Sequence, residues 1–174
     1  MAFTKMDIKD FHENVFTRMG SEWFLLTAGE LEHCNTMTAA WGGVGVLWGK
    51  NVATAYVRKS RYTYDFMEQG DYFTMSFFGS SHRDALSFCG SKSGRDVDKI
   101  RETGLTKTLL DGGVAFEEAE LVIVCKKLFH EELSPQEKTR GITIPCILGK
   151  FWGFIKSNPG QKSRARFNGP GFLY

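Results

Sequence analysis

Apolar residues alternate with small or polar residues over much of this chain, and few stretches show helical spacing. The segments 23–29, 51–58 and 71–78 combine β-branched and aromatic residues between turn-forming residues, which is typical of strands. The glycine-rich segment 35–50 is apolar without a helical period, so it predicts two short strands that bend at its glycines. The first half of the chain therefore predicts a β-sheet.

Helical spacing occurs at three places. Near the N-terminus, Asp7 can cap a helix that Gly20 ends. The apolar face of this predicted helix consists of Ile8, Phe11, Val15 and Met19. Two shorter helices are predicted over residues 81–89 and 95–103, and Gly104 ends the second.

The second half of the chain returns to strands. Residues 113–129 predict one or two strands, 133–138 a loop, and 142–155 a final strand or hairpin. Strands followed by helices and then by strands, without linkers or repeats, predict a single domain over residues 1–174. The predicted class is mainly β: an antiparallel barrel with helices at its rim. Doubly wound folds need a regular strand–helix alternation that this order lacks.

Composition agrees with such a barrel. Hydrophobic residues make up 42% and charged residues 24% of the 174, and the 15 Phe and 19 Gly favour strands with tight turns. No apolar segment is long enough to cross a bilayer, and the acidic N-terminal start does not resemble a secretory signal. We therefore expect a cytoplasmic protein without membrane association. The scattered Cys34, Cys89, Cys125 and Cys146 predict reduced thiols.

Charge is unevenly distributed. All 20 acidic residues lie within residues 1–137, which carry 15 Lys and Arg, whereas residues 138–174 carry seven Lys and Arg. A basic tail can bind nucleic acid, but the acidic balance of residues 1–137 argues against that function. We interpret the tail as a solvated end and predict no nucleic-acid partner.

The usual catalytic and metal motifs are missing. The glycines of Gly42–Gly45 lack the Lys-Ser/Thr ending of a phosphate loop and a following helix. The four histidines lie far apart, so no metal ligand set is predicted. No strand–turn–helix elbow surrounds a Ser or Cys, so no catalytic nucleophile is predicted.

Three polar segments remain as candidate binding residues. Asn35, Thr36, Met37 and Thr38 are small or polar residues on a predicted strand edge, where backbone groups can bind the pyrimidine edge of a flavin. The cations and hydroxyls of residues 58–63 suit a terminal phosphate through charge-assisted hydrogen bonds. Small residues at 89–94, followed by Lys99, allow a ligand to approach the backbone closely. Each segment alone is weak: an ordinary strand and a solvated turn explain the first two better, and a helix cap with exposed charges also explains the third.

In this order, the three segments resemble the flavin reductase-like, FMN-binding split-barrel family, in its flavoredoxin-like branch. The resemblance spans residues 20–133 and rests on NTMTAAWG (35–42), VRKSRYT (57–63), SFFG (76–79) and CGSKSGRDVDK (89–99). It implies a Greek-key split β-barrel that is a homodimer, with FMN at the subunit interface.

The resemblance also assigns cofactor-binding residues by position. Asn35, Thr36, Met37 and Thr38 would meet the isoalloxazine ring. Ser60, Arg61, Tyr62 and Thr63 would lie near the ribityl phosphate. Cys89, Gly90 and Ser93 would line the ring, and Lys99 would reach the flavin or its phosphate, where a cation favours the anionic reduced form.

One departure from the family concerns the end of the chain. Members close with an aromatic, acid-bearing strand that has a Gly-Glu-Ile-like ending, whereas this chain reads GKFWGFIK at 149–156. A divergent terminus and a shifted reading frame near residues 138–142 would each produce this difference.

The expected function is that of a flavin reductase or an electron carrier. The flavin would supply the redox chemistry, and the protein would hold and tune it. The expected electron donor is NADH or NADPH for a reductase, and the expected partner is another redox protein for a carrier. An FMN-binding protein without turnover, for storage or sensing, is the alternative.

Overall fold

The computed structural model describes residues 2–133 and 144–156. The strands in these ranges are β1 (Phe3–Lys5), β2 (Phe24–Gly29), β3 (Cys34–Ala39), β4 (Gly42–Leu47), β5 (Lys50–Tyr56), β6 (Tyr72–Phe77), β7 (Lys107–Leu110), β8 (Gly113–Phe116), β9 (Leu121–Leu133) and β10 (Ile144–Lys156). The α-helices are α1 (Tyr62–Gln69), α2 (Arg83–Ser91) and α3 (Lys99–Thr103).

The main sheet is antiparallel and strongly curled. Its strands follow the order β3–β2–β6–β9–β10–β5–β4, and β1 pairs with β10. β3 and β4 stand at opposite ends of this order, yet only Ala40 and Trp41 connect them. Because so short a connection reaches at most roughly 11 Å, the sheet must curl until its two edges approach each other. This half-closed barrel with flanking helices confirms the predicted fold class.

Both faces of the central strands are buried. Leu26 and Ile123 point into the barrel interior, whereas their neighbours Leu25 and Val122 belong to a second apolar cluster outside it. Leu86 of α2 and Phe116 of β8 are part of the outer cluster. Burial on both faces explains why these strands read as continuous apolar runs rather than as an alternation.

Two tight turns join neighbouring strands. Asp111 and Gly112 have φ values of 43° and 91° between β7 and β8, and Trp48 and Gly49 have 52° and 67° between β4 and β5. Positive φ at both central residues matches the type I′ turn, whose sense of twist suits antiparallel strands. An Asp-Gly pair between apolar residues is typical of a hairpin turn. Asp111-Gly112 therefore indicated a strand before it, and β7 was not predicted although this signal was present.

The predicted N-terminal helix is wrong. Phe3–Lys5 pairs with β10, Ile8–Asp10 forms a 3₁₀ turn, and Phe16–Ser21 forms a π-helical turn. Met19 is buried against the barrel, but Ile8 on the same predicted apolar face is 39% exposed. Packing of Phe11, Val15 and Met19 against the barrel from short helical turns and irregular backbone therefore overrides the local helical spacing.

The other helices differ from prediction in their bounds. α2 covers most of the predicted segment 81–89 and continues to Ser91, whereas α3 begins only at Lys99, after the Asp98 side chain caps it. Gly104 ends α3 in the left-handed conformation, as predicted. α1 was not predicted, because residues 58–63 were interpreted as a polar turn.

β10 lies between β9 and β5 rather than at the margin of the fold. β10 is a single strand rather than a hairpin. It packs closely on β9, because a side chain added at Gly149 would come within 2.7 Å of Cys125 Cβ. The predicted loop at 133–138, apart from Leu133, and the sequence break at 138–142 lie outside the described residues. No helix in the described part of the chain is long and apolar enough to cross a membrane.

Candidate functional site

β3 is an edge strand of the main sheet, and the predicted binding residues lie on it or beside it. Asn35 and Thr36 on this strand are buried, at 6% and 1% exposure. The Asn35 amide donates a 2.8 Å hydrogen bond to the hydroxyl of Thr63 in the first turn of α1. This bond joins two of the predicted segments, which lie 28 residues apart in the chain.

A polar cavity of about 120 Å³ opens beside this bond. Its lining combines the predicted segments with neighbouring residues: Ser60–Thr63 before and within α1, Ser91–Gly94 after α2, and Asn35, Met37 and Lys99. The α1 start contributes backbone N–H groups, which make the first turn of a helix favourable for anions.

The charge of the polar cavity is positive. Arg61, Lys92 and Lys99 line it together with the hydroxyl residues, and none of its lining residues is acidic. Hydroxyls and cations without competing carboxylates form a donor set that suits a phosphate monoester. The chemistry of this cavity therefore fits the terminal phosphate of FMN.

Lys99 contributes its charge from a buried position. It is only 5% exposed, and Nζ donates to the backbone oxygens of Thr36 at 2.9 Å and Cys89 at 2.8 Å. Burial lowers the pKa of the Lys99 ammonium; the Cys89 thiol opposes this effect and the Arg61 guanidinium adds to it. The ammonium thus fastens β3 to α2 at the base of the cavity.

Cys89 and Gly90 belong to the last turns of α2. The Cys89 side chain is fully buried, and burial raises the pKa of its thiol to about 11, although Lys99 acts in the opposite direction. The Gly90 carbonyl accepts a 3.4 Å hydrogen bond from Arg61, and a side chain added at Gly90 would lie 3.2 Å from Thr38 Cβ. Neither residue lines the polar cavity; both contact residues that do, or that lie beside them on β3.

α2 also holds the outer end of β3. The Thr38 hydroxyl donates to the backbone oxygen of Leu86. Thr38 and Met37 line a second cavity, the aromatic cavity, of about 160 Å³. Its other walls include Trp41, Tyr56 and Arg58. Because Met37 and Arg61 line both cavities, the two form neighbouring parts of one groove along β3.

A larger cavity of about 580 Å³ adjoins the polar cavity on the side of Asn35, Tyr62 and Gly94. Phe66 forms part of its wall, with the ring of His33 at 4.9 Å and that of Tyr62 at 5.0 Å. Its size lies within the range of small-molecule sites. Acids and bases both line it, so it lacks the uniform charge of the polar cavity.

Several lining residues were not predicted. Ser91, Lys92 and Gly94 lie between predicted residues, and the sequence motif at 89–99 already contained them. Trp41 and Arg58 likewise lie within the quoted segments 35–42 and 57–63, although neither was assigned individually to the cofactor. No group of three or more His, Cys, Asp or Glu side chains that could hold a metal lies within residues 2–133 and 144–156.

A curled antiparallel sheet with flanking helices, whose edge strand borders a polar groove, defines a split barrel. The chain shares this architecture with solved structures of flavin-binding proteins. The fold is that of the flavin reductase-like, FMN-binding split barrels.

Three solved structures illustrate the likeness. An FMN-binding domain of a flavin reductases-like enzyme from Shewanella baltica aligns with a TM-score of 0.65 and 15% identity, covering 88% of this chain and 77% of that one. A flavoredoxin from Methanosarcina acetivorans gives 0.61 and 22%, covering 74% and 64%. An FMN-binding protein from Thermus thermophilus gives 0.59 and 21%, covering 74% and 66%.

The aligned part thus spans just under two thirds of the flavoredoxin and of the Thermus protein. No protein-family model matches the chain, and no curated protein matches it in sequence.

Proposed function

We propose that this chain binds FMN non-covalently in the groove along β3 and acts as a flavin reductase or a flavoredoxin-like electron-transfer protein. The observation that carries the proposal is the polar cavity, where Arg61, Lys99 and hydroxyl residues converge without an acidic residue. The named flavin-binding structures with the same fold support the same cofactor.

The proposed placement assigns the phosphate to the polar cavity. Ser60, Arg61, Tyr62 and Thr63 would hold the phosphate. Ser93, expected from the sequence to line the ring, lines the opposite wall of the same cavity and would contact the phosphate as well. Asn35 to Thr38 would contact the isoalloxazine ring along the edge of β3, and Cys89 and Gly90 would support that ring from α2. Lys99 would act on the flavin through its buried charge.

When bound, the flavin would supply hydride or electron transfer. The residues of this chain would bind it, orient its ring against β3 and set the charge around it. A general base is not required for these tasks. The Cys89 thiol stays protonated at neutral pH because burial raises its pKa to about 11, so we assign it no redox role.

The choice of FMN over FAD rests on one cavity of phosphate-type chemistry along the groove, as formed by residues 2–133 and 144–156. Heat release of the cofactor from purified protein, followed by chromatography, tests this choice. We expect mainly FMN. Mainly FAD would contradict the phosphate assignment, and the absence of any flavin would contradict flavin binding itself.

An assay of NADH and NADPH oxidation distinguishes reductase activity from flavin binding without turnover. We propose NADH or NADPH as the electron donor, and the large cavity supports this by offering room for a second ligand next to the groove. Steady oxidation of NADH or NADPH by the FMN-loaded protein, with excess flavin as acceptor, would favour the reductase. A loaded protein that oxidises neither nucleotide would favour an electron carrier, a storage protein or a sensor.

We also propose that the protein is a homodimer. Neither the polar nor the aromatic cavity reaches the volume of about 300 Å³ that is typical of small-molecule sites, so a covering surface would complete the groove. Trp41 is 52% exposed at the rim of the aromatic cavity, and Val46 and Trp48, towards the turn of the β4–β5 hairpin, are 73% and 71% exposed. A second copy of the chain would cover this apolar surface.

Two expectations about the whole chain remain proposals. Residues 1–174 would form one flavin-binding domain. A reducing cytoplasm is the proposed location because Cys34, Cys89 and Cys125 are free thiols.

A further inference from the structure

Arg95 occupies the 92–98 loop, the segment that connects α2 to α3. Its guanidinium pairs with the Asp65 carboxylate at 2.6 Å and lies 4.5 Å from the centre of the Tyr62 ring. It also donates a 3.5 Å hydrogen bond to the backbone oxygen of Ser60. Three contacts thus join one loop side chain to the beginning of α1.

The 92–98 loop and the beginning of α1 are the two facing walls of the polar cavity. Ser60 and Tyr62 line one wall, and Lys92 and Ser93 line the other. Arg95 itself lines the adjoining large cavity rather than the polar cavity. From that side it spans the two walls, and its side chain is about half exposed.

The loop lies close to these partners because residue 94 is a glycine. A side chain added at Gly94 would come within 1.9 Å of Asn35 Oδ1 and 3.2 Å of the Tyr62 ring. The loop is also ordered internally, since the amides of Asp96 and Val97 both donate to the Ser93 oxygen, at 3.1 and 3.2 Å. Arg95 therefore fastens a compact loop rather than an extended one.

We propose that Arg95 is a positioning residue for the cofactor phosphate: it holds the 92–98 loop against α1 and so keeps the polar cavity at the width that the phosphate needs. This role rests on the proposed binding of FMN. A ligand that enters a preformed cavity avoids the entropic cost of ordering its walls, so loss of the Arg95 contacts weakens binding.

A purely electrostatic role for Arg95 makes a different prediction. Arg95→Met removes a positive charge near the phosphate, and both roles predict weaker binding. Asp65→Asn removes a negative charge, which on charge alone strengthens phosphate binding. It also removes the main partner of Arg95, which on positioning grounds weakens phosphate binding. The sign of the Asp65→Asn effect therefore separates the two roles.

The experiment compares the affinity of the full-length apo-protein for FMN and for riboflavin in the wild type, Arg95→Met, Asp65→Asn and the double variant. Lys5→Met and Asp111→Asn serve as matched controls, because this exposed pair is joined at 2.5 Å, Lys5 also makes a cation–π contact with Phe154, and neither residue lines any of the three cavities. Amide exchange of the 92–98 loop in the same apo-proteins reports the loop without any ligand.

We expect Arg95→Met and Asp65→Asn each to weaken FMN binding about three- to tenfold, as is typical for a partly exposed ion pair with a cation–π contact. The double variant should be no weaker than Arg95→Met alone, because both changes break one interaction. Riboflavin affinity should change less, and loop amides should exchange faster in both single variants. The control variants should behave like the wild type.

Asp65→Asn protein that binds FMN as tightly as the wild type or more tightly would overturn the positioning role. Unchanged amide exchange in both single variants would overturn it as well. In either case wild-type FMN binding, and with it the proposed function, would stand. If the wild type bound neither FMN nor riboflavin, the proposed function would fail, and the role of Arg95 with it.

Discussion

The amide of Asn35 and the hydroxyl of Thr63 form a buried 2.8 Å hydrogen bond that ties the edge strand β3 to the first turn of α1. Asn35 is also the residue that a side chain at position 94 would strike. The strand, the helix and the 92–98 loop therefore meet at one amide group. Changes at this meeting point should affect both the stability of the fold and the polar cavity.

Gly94→Ala tests this close approach. The added methyl group would lie within 1.9 Å of Asn35 Oδ1, so the loop or the amide must shift. We expect a loss of about 1–3 kcal/mol in unfolding free energy, as for overpacked positions, and weaker FMN binding. Denaturant unfolding measures the first effect. Gly43→Ala is the matched control, because nothing lies within 4 Å of its added methyl group; equal stabilities of the two variants would contradict the close contact.

Lys99→Met tests the buried ammonium. The substitution keeps most of the apolar length but leaves the carbonyl oxygens of Thr36 and Cys89 without their donor. Each buried unsatisfied group lowers the unfolding free energy by about 1–3 kcal/mol. This loss is partly offset because the variant no longer buries a charge. We expect a net loss of about 2 kcal/mol in denaturant unfolding. Lys92→Met, at an exposed lysine of the same cavity, should cost little; a Lys99→Met protein as stable as the wild type would contradict the fastening role.

Cys89 should make the stability depend on pH in the alkaline range. Its thiol has a pKa of about 11 when folded against an ordinary value of 9.0, so between these values the unfolded state has lost a proton that the folded state retains. Stability is therefore complete below pH 9 and falls as the pH rises to 11. Two pKa units correspond to at most about 2.7 kcal/mol. Cys89→Ala should remove this part of the fall, as measured by denaturant unfolding at several pH values; parallel curves for the two proteins would contradict it.

The proposed homodimer predicts a mass of twice 19.6 kDa in light scattering coupled to gel filtration. Trp48→Asn should shift the equilibrium towards monomer, because it removes an exposed apolar ring from the β4–β5 hairpin. The substitution should not disturb the turn, since Trp48 has a φ of 52° and Asn tolerates this conformation better than Trp. A monomeric wild-type protein that still holds FMN would contradict the proposed interface.

The sequence predicted the parts of this fold that depend on local pattern. Strands such as β2 and β6 are short apolar runs between turn residues, and they appear where expected. The prediction of an N-terminal helix failed because Phe11, Val15 and Met19 pack against the barrel from short helical turns and irregular backbone, and a local pattern contains no information about that packing.

The sequence predicted which residues belong to the candidate site, but not the contacts that those residues make. Asn35, Thr63 and Lys99 were all singled out, and the structure gathers them around the polar cavity. That the Lys99 ammonium lines the polar cavity while it donates to two backbone oxygens depends on how α2 packs against β3. The role of Arg95 depends in the same way on α1, which the sequence analysis did not identify.

The most direct test of the account is the titration of apo-protein with FMN and with riboflavin, which differ only in the phosphate. If Arg61 and its neighbours hold that phosphate, the wild type should bind FMN more tightly. Arg61→Ala should lose about one to two decades of FMN affinity, the cost of a charge-assisted hydrogen bond, while riboflavin binding stays nearly constant. Lys59→Ala, at a neighbouring cation that pairs with Glu132, should match the wild type. Equal affinities of the wild type and Arg61→Ala for FMN, or no flavin binding at all, would contradict the account.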